Sequence, residues 1–190
     1  MPNKVKFNLK NVHWALATTC GYASTVSDWP GAVSLTANPQ SDDYVFHADG
    51  IEYYEYHVNK GYEGELECAL VPEAFRQQVL GEVKDSNNNL VELDDVEVIK
   101  FALGFQIDGD AKDNYYWLYN CQASRTAIEG KTNGESVEVL TEKLSFTNKP
   151  DPRITVGTNK HPVKVKTADA STTTAGSWFS AVVLPNVTTG

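Results

Sequence analysis

The chain has 190 residues, 41% hydrophobic and 22% charged, a balance that suits one domain, or one domain with a long arm, and excludes wholesale disorder. Its net charge of −9 is segregated: residues 41–98 hold 15 of the 25 carboxylates against three cations, Lys60, Arg76 and Lys84, while the remainder is net basic. An acidic middle between basic ends argues against general nucleic-acid affinity, which needs a concentrated positive face, and permits head-to-tail self-association.

Period-two alternation dominates. Residues 5–9 and 12–17 read as two strands, and Asp28 to Gly31 as a turn. A strand over 32–37 is expected to stop at Asn38-Pro39, followed by a short strand over 44–48 and a tight turn at Asp49-Gly50. Residues 51–58 and 62–70, joined at Asn59-Lys60-Gly61, read as the clearest hairpin. In its second arm Tyr62, Leu66, Cys68 and Leu70 fall on one face and Glu63, Glu65 and Glu67 on the other. Residues 72–81 carry the one good helix pattern: proline opens it, glutamate sits in its first turn and glycine closes it. A second hairpin, 96–107 with 115–123, turns around Asp108-Gly109-Asp110; a long strand follows over 136–147. The Thr/Ser/Ala stretch 167–177 reads as a loop, and 178–184 returns to strand character. The fold class expected is mainly β, a sandwich or barrel with one short flanking helix. Residues 1–150 form the domain in this reading, and 151–190 complete it or reach a neighbouring subunit.

Catalytic signatures are missing. There is no phosphate-binding glycine loop, Gly-x-Ser-x-Gly, His-Glu-x-x-His or Cys-x-x-Cys, and His13, His47, His57 and His161 are dispersed. Asp108, Asp110 and Asp113 resemble half of a calcium loop, but Lys112 stands where an oxygen ligand is wanted, so a hairpin turn explains them better. The three glutamates share one strand face, unlike the opposed carboxylates of glycoside hydrolysis. No enzyme activity, metal or cofactor is therefore expected. Tyr53, Tyr54 and Tyr56 leave one alternative open, a carbohydrate-binding β-sandwich with a tyrosine platform. Cys20, Cys68 and Cys121 are too few and scattered for a disulfide framework, the last two reading as buried thiols. With no apolar run long enough to span a bilayer and no apolar core near the N-terminus, synthesis in a reducing cytoplasm is expected.

Several stretches together resemble a known family. They are Val5-Lys6-Phe7 with Leu9-Lys10-Asn11-Val12-His13, Pro30 to Leu35, Gly61-Tyr62-Glu63-Gly64-Glu65-Leu66, and Ala69 through Phe75 to Leu80-Gly81. Leu118-Tyr119-Asn120-Cys121, Ile128 to Thr132, Val163 to Thr167 and Trp178-Phe179 follow in the same order. The chain resembles the major tail proteins, or tail tube proteins, of long-tailed bacteriophages of Gram-positive bacteria.

That resemblance implies a structural virion protein, assembled in the host cytoplasm. Hexameric rings would stack into a hollow tube around a tape-measure protein, between distal tail and tail terminator proteins. DNA would pass through without specific binding, and no membrane would be involved. The hairpin over 51–70 and the strand over 136–147 are the expected lumen lining, with Glu63, Glu65 and Glu67 as a DNA-repelling wall. Ring stacking would set Lys4, Lys6, Lys10, Lys160, Lys164 and Lys166 against Asp42, Asp43 and Asp49.

Overall fold

The computed structural model describes residues 3–132 and 139–185. In chain order the elements are β1 (Lys6–Thr18), β2 (Gly21–Tyr22), β3 (Ser27–Asp28), β4 (Ala32–Ala48), β5 (Ile51–Cys68) and α1 (Glu73–Gln78). They continue with β6 (Val83–Lys84), β7 (Leu90–Val91), β8 (Phe101–Gly109), β9 (Asn114–Ala123), β10 (Glu142–Asn148), β11 (Lys164–Lys166) and α2 (Ala175–Trp178). The chain is mainly β. Its principal sheet runs β2-β1-β8-β9-β10-β5-β4, with β3 added to β1 and β11 to β9, and every pairing is antiparallel.

The sheet curls, because residues from both its ends meet in one core. Val12 and Trp14 of β1 pack in the same cluster as Leu66 and Cys68 of β5, Leu144 and Phe146 of β10, and Phe75, Val79 and Leu80 of the α1 segment. Phe75 knits this core: its ring lies 5.2 Å from Trp14, 4.5 Å from Trp29 and 5.1 Å from Phe101. The Trp14 and Phe101 contacts are edge-on and the Trp29 contact is tilted, and such contacts add to the burial of a fully covered phenylalanine, itself about 2–3 kcal/mol.

The opposite face of β8 and β9 is covered by the C-terminal segment. Ile154, Trp178, Phe179 and Val182 pack on Ala102, Tyr115, Trp117 and Tyr119, and Trp117 Nε1 donates to the Trp178 carbonyl (3.3 Å). Burial on both faces explains why these two strands lack apolar–polar alternation. A buried polar lock fixes the segment's start. Asp151 accepts hydrogen bonds from Tyr22 Oη (2.6 Å), Arg153 Nε (2.8 Å) and Arg153 Nη2 (2.7 Å). Burial pushes the Asp151 carboxyl up, yet Arg153 and Tyr22 hold it below its ordinary value.

Several sequence expectations change. The two strands expected over 5–9 and 12–17 are one strand, β1, which starts at Lys6 and is kinked by bulges where Asn8 and Asn11 take positive φ. Asn38-Pro39 does not stop β4; Pro39 is tolerated because β4 is the sheet's edge strand. Asn59-Lys60-Gly61 is not a hairpin turn but a bulge within the continuous β5, so the long hairpin is β4–β5, closed at Asp49-Gly50. Leu70 lies beyond β5 and is exposed rather than on the core face. The helix spans Glu73–Gln78, shorter than 72–81. Residues 96–100 are not strand, whereas the β8–β9 hairpin otherwise stands. Of the strand expected over 136–147, residues 136–138 lie outside the described ones and pairing begins at Glu142. Residues 178–184 are not strand: Thr174 and Ser177 form a capping box that opens α2 there. Cys68 and Cys121 are buried thiols, while Cys20 is exposed.

Candidate assembly surface

The sheet's most unusual part is the outer half of the β4–β5 hairpin. β10 pairs with β5 only over residues 62–68, so β5 from Ile51 to Gly61 has β4 on one edge and no strand on the other. At ~3.3 Å per residue this two-stranded arm projects roughly 30 Å. An isolated two-stranded ribbon is at best marginally stable in water.

Local chemistry explains its geometry. Asp49 and Gly50 take φ of 54° and 78°, the left-handed pair that a two-residue hairpin turn requires. At the root, Gln40 pairs with Gly61 and Ser41 with Asn59, leaving Lys60 as the extra residue. Gly61 takes φ 102°, and its N–H donates to Asn59 Oδ1 (2.9 Å). A Cβ at Gly61 would sit 1.9 Å from the Asn148 carbonyl oxygen, so only glycine fits where the arm leaves the body. Asn148 ends β10 there, donating from Nδ2 to the carbonyls of Tyr119 (2.6 Å) and Val163 (2.8 Å).

Register divides the arm into two faces. Tyr44 pairs with Tyr56 and Phe46 with Tyr54, and directly opposed residues share a face. These four rings are 57%, 54%, 61% and 60% exposed. Asp43 pairs with His57 and Val45 with Glu55 on the other face. There His57 Nδ1 lies 2.5 Å from Asp43 Oδ1 and its Nε2 lies 3.4 Å from Glu55 Oε1. The hydrogen bond and charge of Asp43, then the charge of Glu55, raise the His57 pKa. Residues 40–61 carry five carboxylates against one lysine, Lys60, which pairs with Asp42.

Glu63, Glu65 and Glu67 do share a polar face, the one that continues along β4 into Tyr44 and Phe46. Glu63 and Glu65 are exposed; Lys143 Nζ lies 3.5 Å from Glu65 Oε1. Glu67 accepts from Thr141 Oγ1 (2.7 Å) and Ser34 Oγ (3.0 Å), which lower its pKa. β10, the other expected lumen strand, lies inside the sheet between β9 and β5.

The lysines do not act alike. Lys10 is held within the chain by Asp108 (2.6 Å), whose hydrogen bond and charge raise its pKa. Asp108 and Asp110 are structural: Asp110 accepts from the N–H groups of Lys4 (2.8 Å) and Val5 (3.4 Å) and so tethers the start of β1. The Lys4 and Lys160 side chains are exposed. Lys6, Lys164 and Lys166 instead converge on two tyrosines. Lys6 Nζ donates to Tyr116 Oη (3.3 Å), Lys166 Nζ lies 5.8 Å from the same ring's centre, and Lys164 Nζ donates to Tyr62 Oη (2.5 Å). None of the three has a carboxylate partner among the described residues. This cluster joins β1, β9, β11 and the root of the arm, positions about a hundred residues apart, and only β11's alternation hints at it in the sequence.

Tyr53, grouped with Tyr54 and Tyr56 by sequence, is the extra residue of a second bulge, between the Phe46–Tyr54 and His47–Glu52 pairs. The ring platform is built instead with Tyr44 and Phe46 from the opposite strand. Among the described residues no cluster of His, Cys, Asp and Glu is arranged to hold a metal ion, and no helix is long and apolar enough to cross a membrane. No protein-family model matches the chain, and neither does any curated protein.

Proposed function

We propose that this chain is a structural subunit of a phage-type tail tube, built by pairing its arm with the arms of neighbouring copies. The observation that carries the reading is the arm itself: a ~30 Å ribbon with two unpaired edges and four exposed rings on one face. Free strand edges are hazards unless something pairs them. In a cyclic ring every β4 runs one way and every β5 the other. The free edge of β5 in one copy would then meet the free edge of β4 in the next as an antiparallel pair, until the sheet closes. The curled β-sheet body with α1 on one side is compatible with the sandwich-like domain of that family.

In this proposal the rings are hexameric and stack around a tape-measure protein, between distal tail and tail terminator proteins. Glu63, Glu65 and Glu67 would line the bore if their face turns inward, repelling DNA over a screening length of ~8 Å at physiological salt. The work is mechanical and needs no catalytic step. Negative-stain microscopy of the concentrated protein tests the reading: rings or tubes are expected, and uniform monomers at every concentration would overturn it. The exposed row of Tyr44, Tyr56, Phe46 and Tyr54 favours a second reading, a carbohydrate-binding module. That reading predicts monomers whose tyrosine fluorescence responds to oligosaccharides.

A further inference from the structure

The arm and its root carry opposite charge. Distal to the root bulge lie Asp43, Asp49, Glu52 and Glu55, while the only lysine of the arm is already paired with Asp42. At the root lie Lys6, Lys164 and Lys166, held against the Tyr116 and Tyr62 hydroxyls rather than against carboxylates. Three ammonium groups gathered this way repel one another, and phenol oxygens do not neutralise them. Within one molecule Asp43 lies three residues and Glu55 six residues beyond the Gln40–Gly61 pair at the root, about 10 and 20 Å along the ribbon, and their ion-pair partner is His57. Among the described residues these acids and the root lysines make no ion pair with each other in a single copy, which leaves both for a second copy to meet.

The geometry points to a heterologous contact in which the acidic face of one copy's arm, Asp43 with Glu55, lies on the Lys6–Lys164–Lys166 cluster of a second copy. This rests on the tail tube reading and deepens it by naming the electrostatic half of the joint. A contact between two different patches of the same chain repeats from copy to copy, so it yields rings or filaments and not a closed pair. Because Lys164 and Lys166 sit on β11, the C-terminal segment that covers the second core also supplies half of this joint. Lys10, already neutralised by Asp108, is outside the contact.

Charge reversal tests it on the full-length protein. The perturbed side chains are all exposed, and circular dichroism of each variant verifies the fold. K164E/K166E and D43K/E55K are each expected to raise the concentration needed for assembly by at least about tenfold, as two reversed exposed pairs should. An equimolar mixture is expected to assemble, because each acidic arm then finds a basic root and each basic arm an acidic one. The quadruple variant, with both patches exchanged, is expected to assemble alone. Assembly of both double variants at wild-type concentration would overturn the contact while leaving the tube reading intact. So would failure of both the mixture and the quadruple variant. Loss of duplex-DNA retention by K164E/K166E with unchanged self-association would also overturn it, by making the cluster a nucleic-acid site. A wild-type chain that never associates would remove the contact and the tube reading together.

Discussion

Replacing Phe46 and Tyr54 by serine separates what the arm does for the monomer from what it does between copies. The two rings are opposed across β4 and β5 and are 61% and 60% exposed. With about 200 Å² per ring, the pair leaves roughly 240 Å² of apolar surface in water. At about 25 cal/mol per Å², complete cover by a neighbour would contribute ~6 kcal/mol, and half cover ~3 kcal/mol. The smaller figure already corresponds to about a hundredfold in association constant. The F46S/Y54S variant should therefore need about a hundredfold higher concentration to assemble, read by sedimentation velocity across a dilution series. Its dilute monomer should melt within about 3 °C of wild type, because neither ring belongs to either core cluster. Unchanged assembly, within about threefold, would refute the reasoning. So would a large drop in the monomer's melting temperature, which would make the rings part of the monomer's own fold.

Three further outcomes follow from the same geometry. D151N should destabilise the fold by about 3–5 kcal/mol in denaturant titration, because it leaves Arg153 and Tyr22 facing an uncharged partner in a buried site. Since Asp151's pKa is lowered on folding, its contribution is present above the unfolded carboxylate range and lost as pH falls through the folded value; acid unfolding should be shallower in the variant. G61A should cost more than about 2 kcal/mol in the same titration, because a Cβ there meets the Asn148 carbonyl and φ is 102°, whereas G50A meets no neighbour and should cost less. The His57 pKa is raised, so the Asp43–His57–Glu55 cluster carries one net negative charge below that pKa and two above it. Assembly at constant salt should strengthen as pH rises through the value, while the cluster's own ion pairs, complete below the unfolded histidine pKa, weaken over the same rise; H57Q should abolish the step in assembly.

The mainly β class, both buried cysteines and the β8–β9 hairpin were legible in the sequence, because alternation and turn residues report directly on local backbone geometry. The arm was legible only in pieces. Asp49-Gly50 was readable as a tight turn, since two successive left-handed residues favour that pair. Asn59-Lys60-Gly61 carries the same kind of signal, yet it serves a bulge: Asn59 caps the Gly61 N–H while the chain continues in the same direction. Which of the two glycines reverses the chain depends on the partner strand, and β4 is available as a partner only because Pro39 lies on an edge. The apolar run 178–184 looked like strand because period alone cannot separate a short buried strand from a buried coil. The lysine–tyrosine cluster left only the alternation of β11 as a local sign, since its members come from four different strands.

The arm's composition also bears on why association would be controlled. A bare aromatic ribbon with two free edges would pair with any exposed strand, and natural edges usually carry charge to prevent that. Here the rings are confined to one face and the carboxylates stand beside or behind them, five against one lysine over residues 40–61. Two arms approaching at random bring like charges together, at a cost that grows as their separation falls below the screening length. An arm approaching a root cluster meets three ammonium groups that have tyrosine but no carboxylate partners among the described residues. The acids thus lower the rate of arm-on-arm encounters out of register, and the rings stabilise only those encounters the charges have first aligned. On this account salt has two opposite effects: it weakens the aligned contact and it unmasks misaligned ones. Rising salt should then shift the product from ordered rings towards irregular aggregates and not simply towards monomer, a distinction that microscopy and sedimentation make together.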